Sequence, residues 1–331
     1  MENQNATNNT TLRQATNRVN IVGYLKKMEL KAGPNDKGVD GIRGSVTIMT
    51  EPGSDHVVDV MVNRLTSKNE ENRAYAGMMT VMNEYVPMAK LMEQGKDLQT
   101  AMAECTKVSV SNGNLRRSEY ASKQDGSLVS RPSISTNFFN RIDDADFDPK
   151  STKATFDVEC YIAKIADEYK QDEPTGRKVV NTWIPIFGGK VIPFQFVVGE
   201  NLADDFENFY EVGSTAPLNG DIVNRIIVET TAASGFGRPS ETRTYVHEYE
   251  IMGGNPAYAE ENSKAYTKEQ IATAVRVRET ETIPDILKRS KEKQSAQAGM
   301  GNMGAGFGGG YGAGGATIDP GLAAKAKDFK I

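Results

Sequence analysis

The sequence predicts a mainly β protein made of two tandem five-stranded barrels, with a helical insertion and a flexible Gly-rich C-terminal tail. Two observations lead to this prediction. Runs of alternating apolar and polar residues, bounded by Gly, Pro and Asp, recur over residues 17–253, and such runs are typical of half-buried strands. The order of three strands, a helix and two strands then occurs twice along the chain, which indicates a repeated unit.

The first unit begins after a polar leader. Residues 1–16 are rich in Asn and Thr, which predicts disorder. From Asn17, the run NRVNIVGYLKKMEL places Val19, Ile21 and Leu25 on one face of a strand. Two more alternating runs, IRGSVTIMT and HVVDVMVNRL, complete a predicted meander of three strands.

A helical region and a hairpin close the first unit. Met, Leu and Ala recur at helical spacing over residues 70–104 and predict one or two helices interrupted near Pro87. The runs KVSVSNGNLRRSEY and SISTNFFNRI follow, joined through a Gln-Asp-Gly turn. Three strands, a helix and a closing hairpin form the five-stranded oligonucleotide/oligosaccharide-binding barrel, the OB-fold, which we assign to residues 17–147.

Residues 148–256 predict a second OB-like barrel. An acidic linker leads into three β runs, the short helical run NLADDFENFYEV and two further β runs. This unit lacks obvious identity with the first, so an unrelated β-rich domain is the alternative. Residues 257–293 predict a helical segment in which Thr267 and Gln270 form a capping-box pattern. Residues 294–331 predict the flexible tail.

Composition and charge narrow the classes of function. The chain has 331 residues and a formal net charge of −5. Residues 1–147 hold 18 basic and 18 acidic side chains, whereas residues 148–256 hold 10 basic and 17 acidic ones. We expect a cytoplasmic protein, because no apolar run is long enough to span a membrane and the N-terminus lacks a secretion pattern. Cys105 and Cys160 lie far apart without clustered His, so neither a disulfide nor a zinc site is predicted.

Two motifs resemble those of bacterial and phage single-stranded DNA-binding proteins. NRVNIVGYL (17–25) has an Asn, a basic residue and alternating aliphatic residues, and GNLRRSEY (113–120) combines Gly-x-Leu with basic residues and an aromatic one. The resemblance covers residues 17–142, with a helix between the motifs. It implies an OB-fold and non-catalytic binding of single-stranded DNA (ssDNA) in replication, recombination or repair, inside the bacterial host cytoplasm if the protein is phage-encoded.

The chain departs from that family in three features. The helical region is longer, a second barrel is added, and residues 325–331, KAKDFKI, differ from the acidic, Pro-Phe-terminated tip that recruits replication and repair enzymes in the family. This departure puts recruitment of replication or recombination proteins by the usual tip in doubt. Phe329 and Ile331 are candidates for an apolar anchor toward another partner, and a homo-oligomer is a further expectation.

The predicted hairpin has the chemistry that a general binder of single strands needs. Bases stack on aromatic side chains, at roughly 1–3 kcal/mol per base, and cations neutralise phosphates. The hairpin supplies both residue types on one element. The candidate ssDNA-binding residues of the whole chain are Tyr24, Lys26, Arg43, Arg64, Arg116, Arg117, Tyr120, Lys123, Arg131, Phe138, Phe139, Arg141, Trp183 and Phe187.

Adjacent candidates in a strand face opposite ways. Arg116 and Arg117 are such a pair, and so are Phe138 and Phe139 if their segment is a strand. For Phe138 and Phe139, one ring is expected in the core and the other on the surface. The sequence does not decide which member of either pair faces the DNA.

The remaining aromatic candidates also carry an alternative role. Tyr24 and Lys26 share the strand face opposite the core positions, so we expect both to point out of the barrel, where Tyr24 either stacks on a base or packs on the surface. Trp183 and Phe187 share a face of a strand in the second unit. A lone Trp in a β domain is more often part of the core.

Two other classes of function compete with ssDNA binding. In a phage structural or scaffold β-protein the barrels would mediate protein contacts, and the acidic second unit favours that alternative. An enzyme is the weakest hypothesis, because His56 and His247 are the only histidines and no catalytic signature is present. The Gly-x-Gly-x-x-Gly match at 304–309 follows no predicted strand. We therefore expect no cofactor and no metal.

Overall fold

The computed structural model describes residues 12–35, 37–231 and 240–300 and is mainly β. The first six strands are β1 (Asn17–Pro34), β2 (Asp40–Glu51), β3 (Ser54–Asn63), β4 (Lys107–Ala121), β5 (Leu128–Ser135) and β6 (Asn140–Ile142). The next five are β7 (Lys153–Lys170), β8 (Glu173–Ile186), β9 (Lys190–Val198), β10 (Thr215–Thr231) and β11 (Ser240–Gly254). The helices are α1 (Arg73–Glu84), α2 (Met88–Glu93), α3 (Leu98–Glu104), α4 (Ala203–Phe209), α5 (Lys268–Val277) and α6 (Ile283–Met300).

Strands β1 to β5 close into a five-stranded ring. β1 pairs with β2, β2 with β3, β3 with β5, β5 with β4, and β4 again with β1. All of these pairs are antiparallel except β3 with β5. Helices α1 to α3 lie between β3 and β4 in the chain, which is the OB-fold position for a helix.

Strands β7 to β11 repeat the same ring. β7 pairs with β8, β8 with β9, β9 in parallel with β11, β11 with β10, and β10 with β7. Helix α4 lies between β9 and β10, at the position that α1 to α3 occupy in the first ring. The predicted fold class, a mainly β protein with tandem five-stranded barrels, is confirmed.

The two barrels are joined through their equivalent first strands. β1 and β7 pair antiparallel over residues 17–22 and 153–158, with Val19 opposite Phe156. Both residues belong to one apolar core that runs through the two barrels. Antiparallel pairing of equivalent strands is the arrangement that a two-fold axis gives, so the barrels form one body with an approximate internal symmetry.

A polar contact between β3 and β10 forms a second link between the barrels. Asn224 donates through Nδ2 to the carbonyl oxygen of Asp55 (2.9 Å) and to Nδ1 of His56 (3.1 Å). The Oδ1 atom of Asn224 faces Nδ1 of His247. Burial lowers the pKa of His56 to about 4 and also lowers the pKa of His247. Both histidines of the chain therefore meet at one asparagine, His56 as a buried ring and His247 as a more exposed one.

Several predicted boundaries differ from the structure. Residues 12–16 were predicted within the disordered leader, but Leu12 and Ala15 are buried in the common core, and Arg13 pairs with Glu159 at 2.8 Å. These long-range contacts outweigh the local polar composition. Residues 1–11 lie outside the described residues.

The helical regions follow the sequence pattern more closely. Residues 70–104 form three helices, not one or two, and α2 begins directly after Pro87. Thr267 and Gln270 form the predicted capping box at the start of α5. Residues 278–282 then form a π-helical turn, and α6 continues to Met300, beyond the predicted limit of the helical segment at 293. Residues 301–331, with the Gly-x-Gly-x-x-Gly match, lie outside the described residues.

Among the described residues, no helix combines the length and apolarity that crossing a membrane requires. The same residues contain no group of three or more His, Cys, Asp or Glu placed to hold a metal ion. Cys105 and Cys160 are buried free thiols, and burial raises their pKa to about 11 and about 12. Such thiols are poor nucleophiles at neutral pH.

Candidate nucleic-acid interface

The β4–β5 hairpin gathers three of the candidates on its outer face. In this antiparallel pair Arg116 lies opposite Ser133, Ser118 opposite Arg131, and Tyr120 opposite Val129. Opposite residues project to the same face, and so do residues two apart in a strand. Arg116, Tyr120 and Arg131 therefore form one outward surface, which we call the hairpin face.

The hairpin face has the composition of a stacking platform beside cations. Arg116 and Tyr120 are separated by four residues of β4, which is about 13 Å at the usual rise per residue, and Arg131 lies between them. The ring of Tyr120 is 39% exposed, and Arg116 and Arg131 are also exposed. Among the described residues, neither arginine forms an ion pair, so both guanidinium groups are available to an incoming phosphate.

The inner face of the same hairpin is anchored, and this corrects the prediction for Arg117. Its Nε donates to Oγ of Ser130 (2.9 Å) and its Nη2 to the Ser130 carbonyl (2.7 Å). Ser130 Oγ donates to Oε1 of Glu119 (2.7 Å), which also pairs with Arg278 of the π-helical turn. Burial lowers the pKa of Arg117. Arg117 holds the hairpin in place, while Arg116 faces solvent.

Phe138 and Phe139 lie in the loop between β5 and β6, not in the predicted strand. The hydroxyl of Thr136 accepts from the Phe138 amide (3.3 Å), and this turn ends the β5 ladder. Phe139 is buried (4% exposed) and Phe138 is 52% exposed. Phe138 is therefore the surface member of the pair, and Phe139 is corrected to a core residue.

The remaining hairpin cations flank this surface. Lys123 is exposed in the turn between β4 and β5, and Arg141 is exposed on β6. β6 pairs with the first residues of β4, where Arg141 lies opposite Val108. The two cations therefore lie near opposite ends of β4, on either side of the hairpin face.

The outward face continues onto β2 and β3. Arg43 lies opposite Met61, and Thr47 lies opposite Val57. Met61 is 66% exposed and Val57 is 54% exposed. Outer-face residues of the second and third strands are a usual ligand surface of OB-folds. The sequence reasoning missed Met61 and Val57, although the strict alternation of β3, with Val58, Val60 and Val62 buried, contains the signal.

Arg43, Arg64 and Lys26 are partly engaged by the protein itself. Arg43 donates to Oδ1 of Asn63 (3.0 Å), and Arg64 lies 4.0 Å from Asp40 across exposed side chains. Arg43 lies on β2 and Arg64 follows β3, and both are beside the loop that joins β1 to β2, one of the loops through which OB-folds contact oligonucleotides. Lys26 pairs with Asp55 at 2.6 Å, close to the contact between the barrels.

Two aromatic candidates are buried, and a third lies alone. Tyr24 does point away from the barrel core, but α2 and α3 cover it, and its ring packs edge-on against Phe147 at 5.0 Å. Trp183 is 3% exposed within the common core. Neither ring is accessible for stacking. Phe187 is 84% exposed in the turn after β8, so it does not share a surface with Trp183.

A comparison with protein-family models shows which family the chain belongs to. The YorF family model matches residues 15–288, which include both barrels and α5. The chain belongs to the YorF family. No curated protein sequence matches it.

Two solved structures are similar to the chain. Both are of the single-stranded DNA-binding protein from Thermus aquaticus, one wild-type and one a deletion mutant. The wild-type structure has 10% sequence identity and a TM-score of 0.41, and the match covers 76% of this chain and 97% of that one. The mutant has 12% identity and a TM-score of 0.40, with 76% and 98% covered.

Proposed function

We propose that this protein is a non-catalytic ssDNA-binding protein whose first barrel holds the strand on the hairpin face. The observation that carries the proposal is the combination of exposed Tyr120 with Arg116 and Arg131, neither of which forms an ion pair within the described part of the chain, on one anchored hairpin. Stacking on a ring is tolerant of sequence because every base has a π-face. This surface therefore suits a general binder better than a reader of base sequence.

The adjoining outer surface extends the proposed path. Exposed Met61 and Val57 on β3 offer apolar contact to bases, and Arg43 and Arg64 mark its far end. A duplex hides the base faces, so it gains only the phosphate contacts. We propose protection of single strands during phage DNA replication or recombination, in the cytoplasm of a bacterial host, as the role that this chemistry serves.

A direct test compares labelled oligo-dT with a matched duplex by fluorescence anisotropy across salt concentrations, using the full chain. We expect binding to the single strand that weakens with salt. The triple variant Arg116→Ala/Tyr120→Ala/Arg131→Ala should lose more affinity than the removal of stacking alone would cause. Stacking contributes roughly 1–3 kcal/mol, which corresponds to about 5–150-fold in affinity.

The matched control removes the same residue types elsewhere. Tyr169, Arg276 and Arg289 are exposed and lie outside the hairpin, so the variant Tyr169→Ala/Arg276→Ala/Arg289→Ala should bind like the wild type. Equal loss in both triple variants, or equal affinity for single strand and duplex, contradicts the proposal.

The second barrel favours an additional candidate function, contact with protein. Its hairpin β10–β11 exposes Ile226, Val228 and Tyr245, and exposed apolar patches of this kind mark interaction surfaces. If the full chain binds no nucleic acid at low salt, a phage structural or scaffold role for both barrels becomes the better explanation.

A further inference from the structure

The second barrel carries an apolar groove between α4 and the end of β11. Its volume is about 150 Å³, and its lining includes Leu202, Phe206, Tyr210 and the exposed side chains of Phe209 and Met252. A cavity of this size holds one benzene-sized group. The groove lies on the acidic barrel and plays no part in the proposed ssDNA surface.

Acidic residues lie at the groove and beside it in the chain. Asp205 lines the groove, Asp204 is its neighbour in α4 and Glu211 follows that helix; all three side chains are exposed. Within the described part of the chain, none of the three forms an ion pair, whereas Glu207 on the same helix is neutralised by Lys178 at 2.9 Å. An apolar ligand with positive charges beside it fits this combination best.

The chain itself contains a segment with that chemistry. Residues 325–331, KAKDFKI, place Lys325, Lys327 and Lys330 around Phe329 and Ile331, with one acid among them. An aromatic ring flanked by ammonium groups complements an apolar groove with a carboxylate rim. The cationic hairpin face of the first barrel has the opposite charge preference.

The connecting sequence is long enough to reach any face of the protein. The 24 residues 301–324 include ten glycines; a Gly-rich chain of this length has an average end-to-end distance of roughly 25–30 Å and spans at most about 80–86 Å when fully extended. A folded body of about 300 residues has a radius of gyration on the order of 19 Å, which corresponds to a diameter of about 50 Å. Reach therefore does not limit docking.

We infer that residues 325–331 dock in cis in this groove, with the Phe329 ring in the cavity and the lysines facing Asp204, Asp205 and Glu211. This inference is independent of ssDNA binding by the hairpin face. It assigns a use to the acidic surplus of the second barrel, which phosphate binding leaves unexplained.

The test places the photo-crosslinker p-benzoylphenylalanine at position 329 of the full chain and maps the products by mass spectrometry. We expect intramolecular crosslinks concentrated in residues 198–212 and 250–254. The variant Asp204→Asn/Asp205→Asn should reduce their yield about fivefold, as expected for losing roughly 1 kcal/mol of exposed charge interaction. Glu70→Gln/Glu71→Gln, an equal charge change on exposed residues of the first barrel, should leave the yield unchanged.

A crosslinker at Phe307, inside the Gly-rich stretch, reports random encounters. Crosslinks from position 329 that spread over the surface like those from position 307, or that ignore Asp204→Asn/Asp205→Asn, overturn the inference. Crosslinked dimers in place of intramolecular products at low micromolar concentration also overturn it, because the occupant would then come from a second copy.

Discussion

The two closing hairpins, β4–β5 and β10–β11, occupy equivalent positions in the two barrels but carry different side chains. The first presents Arg116, Tyr120 and Arg131 outward. On the second, Ile226 lies opposite Tyr245 and Val228 opposite Arg243, so one face is largely apolar. Arg243 lies 3.5 Å from Glu241, which reduces its availability to a phosphate.

The hairpins also differ in how they are held. The inner face of β4–β5 is tied to the π-helical turn by the ion pair of Glu119 with Arg278, with side chains 8% and 7% exposed. The base of β10–β11 is tied to the first barrel by hydrogen bonds of Asn224 to Asp55 and His56. One fold thus supports a cationic hairpin and an apolar one, and the proposed assignment of DNA contact to the first barrel and protein contact to the second rests on this difference.

Breaking the anchor of the first hairpin has the largest expected effect. Arg278→Met leaves the buried Glu119 carboxylate without its direct ion-pair partner, and the free energy of unfolding should fall by about 3–5 kcal/mol. Urea unfolding measures this change. The double variant Glu119→Gln/Arg278→Met should recover part of the loss, because the buried carboxylate that lost its partner is removed as well.

Arg289→Met serves as the matched control, since Arg289 pairs with Asp285 at an exposed i,i+4 site. Such pairs contribute only about 0.3–0.5 kcal/mol. Similar losses in Arg278→Met and Arg289→Met would show that the first hairpin has no special anchor.

Acid should weaken the contact at the base of the second hairpin. The pKa of His56 is lowered to about 4 in the folded protein, below its unfolded value of about 6.5. The neutral ring accepts from Asn224 at Nδ1, so the unfolded chain binds the proton more readily. The stability contribution is full above about pH 6.5 and is lost as the pH falls toward 4.

Between pH 7 and pH 5 the expected loss from His56 is about 2 kcal/mol, at 1.36 kcal/mol per pH unit below the unfolded pKa. Urea unfolding at the two pH values measures it. In His56→Gln the loss of stability should shrink to the part that His247 contributes. The pKa of His247 is also lowered by burial. An unchanged pH dependence in that variant rules out His56 as its source.

The positions of the strands along the chain are predictable from sequence, because each strand has its own local alternation of apolar and polar residues. In β3 the buried residues Val58, Val60 and Val62 alternate with exposed Val57 and Met61. This two-residue alternation is visible in the sequence of the strand itself. The capping box at Thr267 and Gln270 is equally local. Such patterns give elements and faces without knowledge of distant neighbours.

The roles of Tyr24, Arg117 and Trp183 required the structure. Tyr24 faces outward from its strand, but helices some 65 to 80 residues away cover it. Arg117 turns inward toward a network completed by Arg278, which is 159 residues from Glu119 in the chain. Long-range packing of this kind leaves no local signal, so the candidate site could be predicted as a hairpin but not residue by residue.

Comparing one exposed tyrosine from each hairpin tests the proposed difference between the hairpins. Tyr120→Ala should weaken oligo-dT binding by roughly 1–3 kcal/mol, because Tyr120 is exposed on the same face as Arg116 and Arg131. Tyr245 is more exposed, at 67%, but it lies opposite an aliphatic residue on the acidic barrel. We expect Tyr245→Ala to change affinity less than about twofold, within the usual scatter for surface substitutions. Comparable losses in the two variants would show that both hairpins contact the strand.

The smallest expected effect distinguishes Arg131 on the first hairpin from Arg243 on the second. Arg131→Ala should reduce the slope of log affinity against log salt by about 0.7, the contribution of one neutralised phosphate on a single strand. Arg243→Ala should leave the slope unchanged, because Arg243 is already beside Glu241. Anisotropy titrations of oligo-dT over a salt series give both slopes. If Arg243→Ala lowers the slope as much as Arg131→Ala, the second hairpin also binds phosphate, and the acidic charge of its barrel does not keep DNA away.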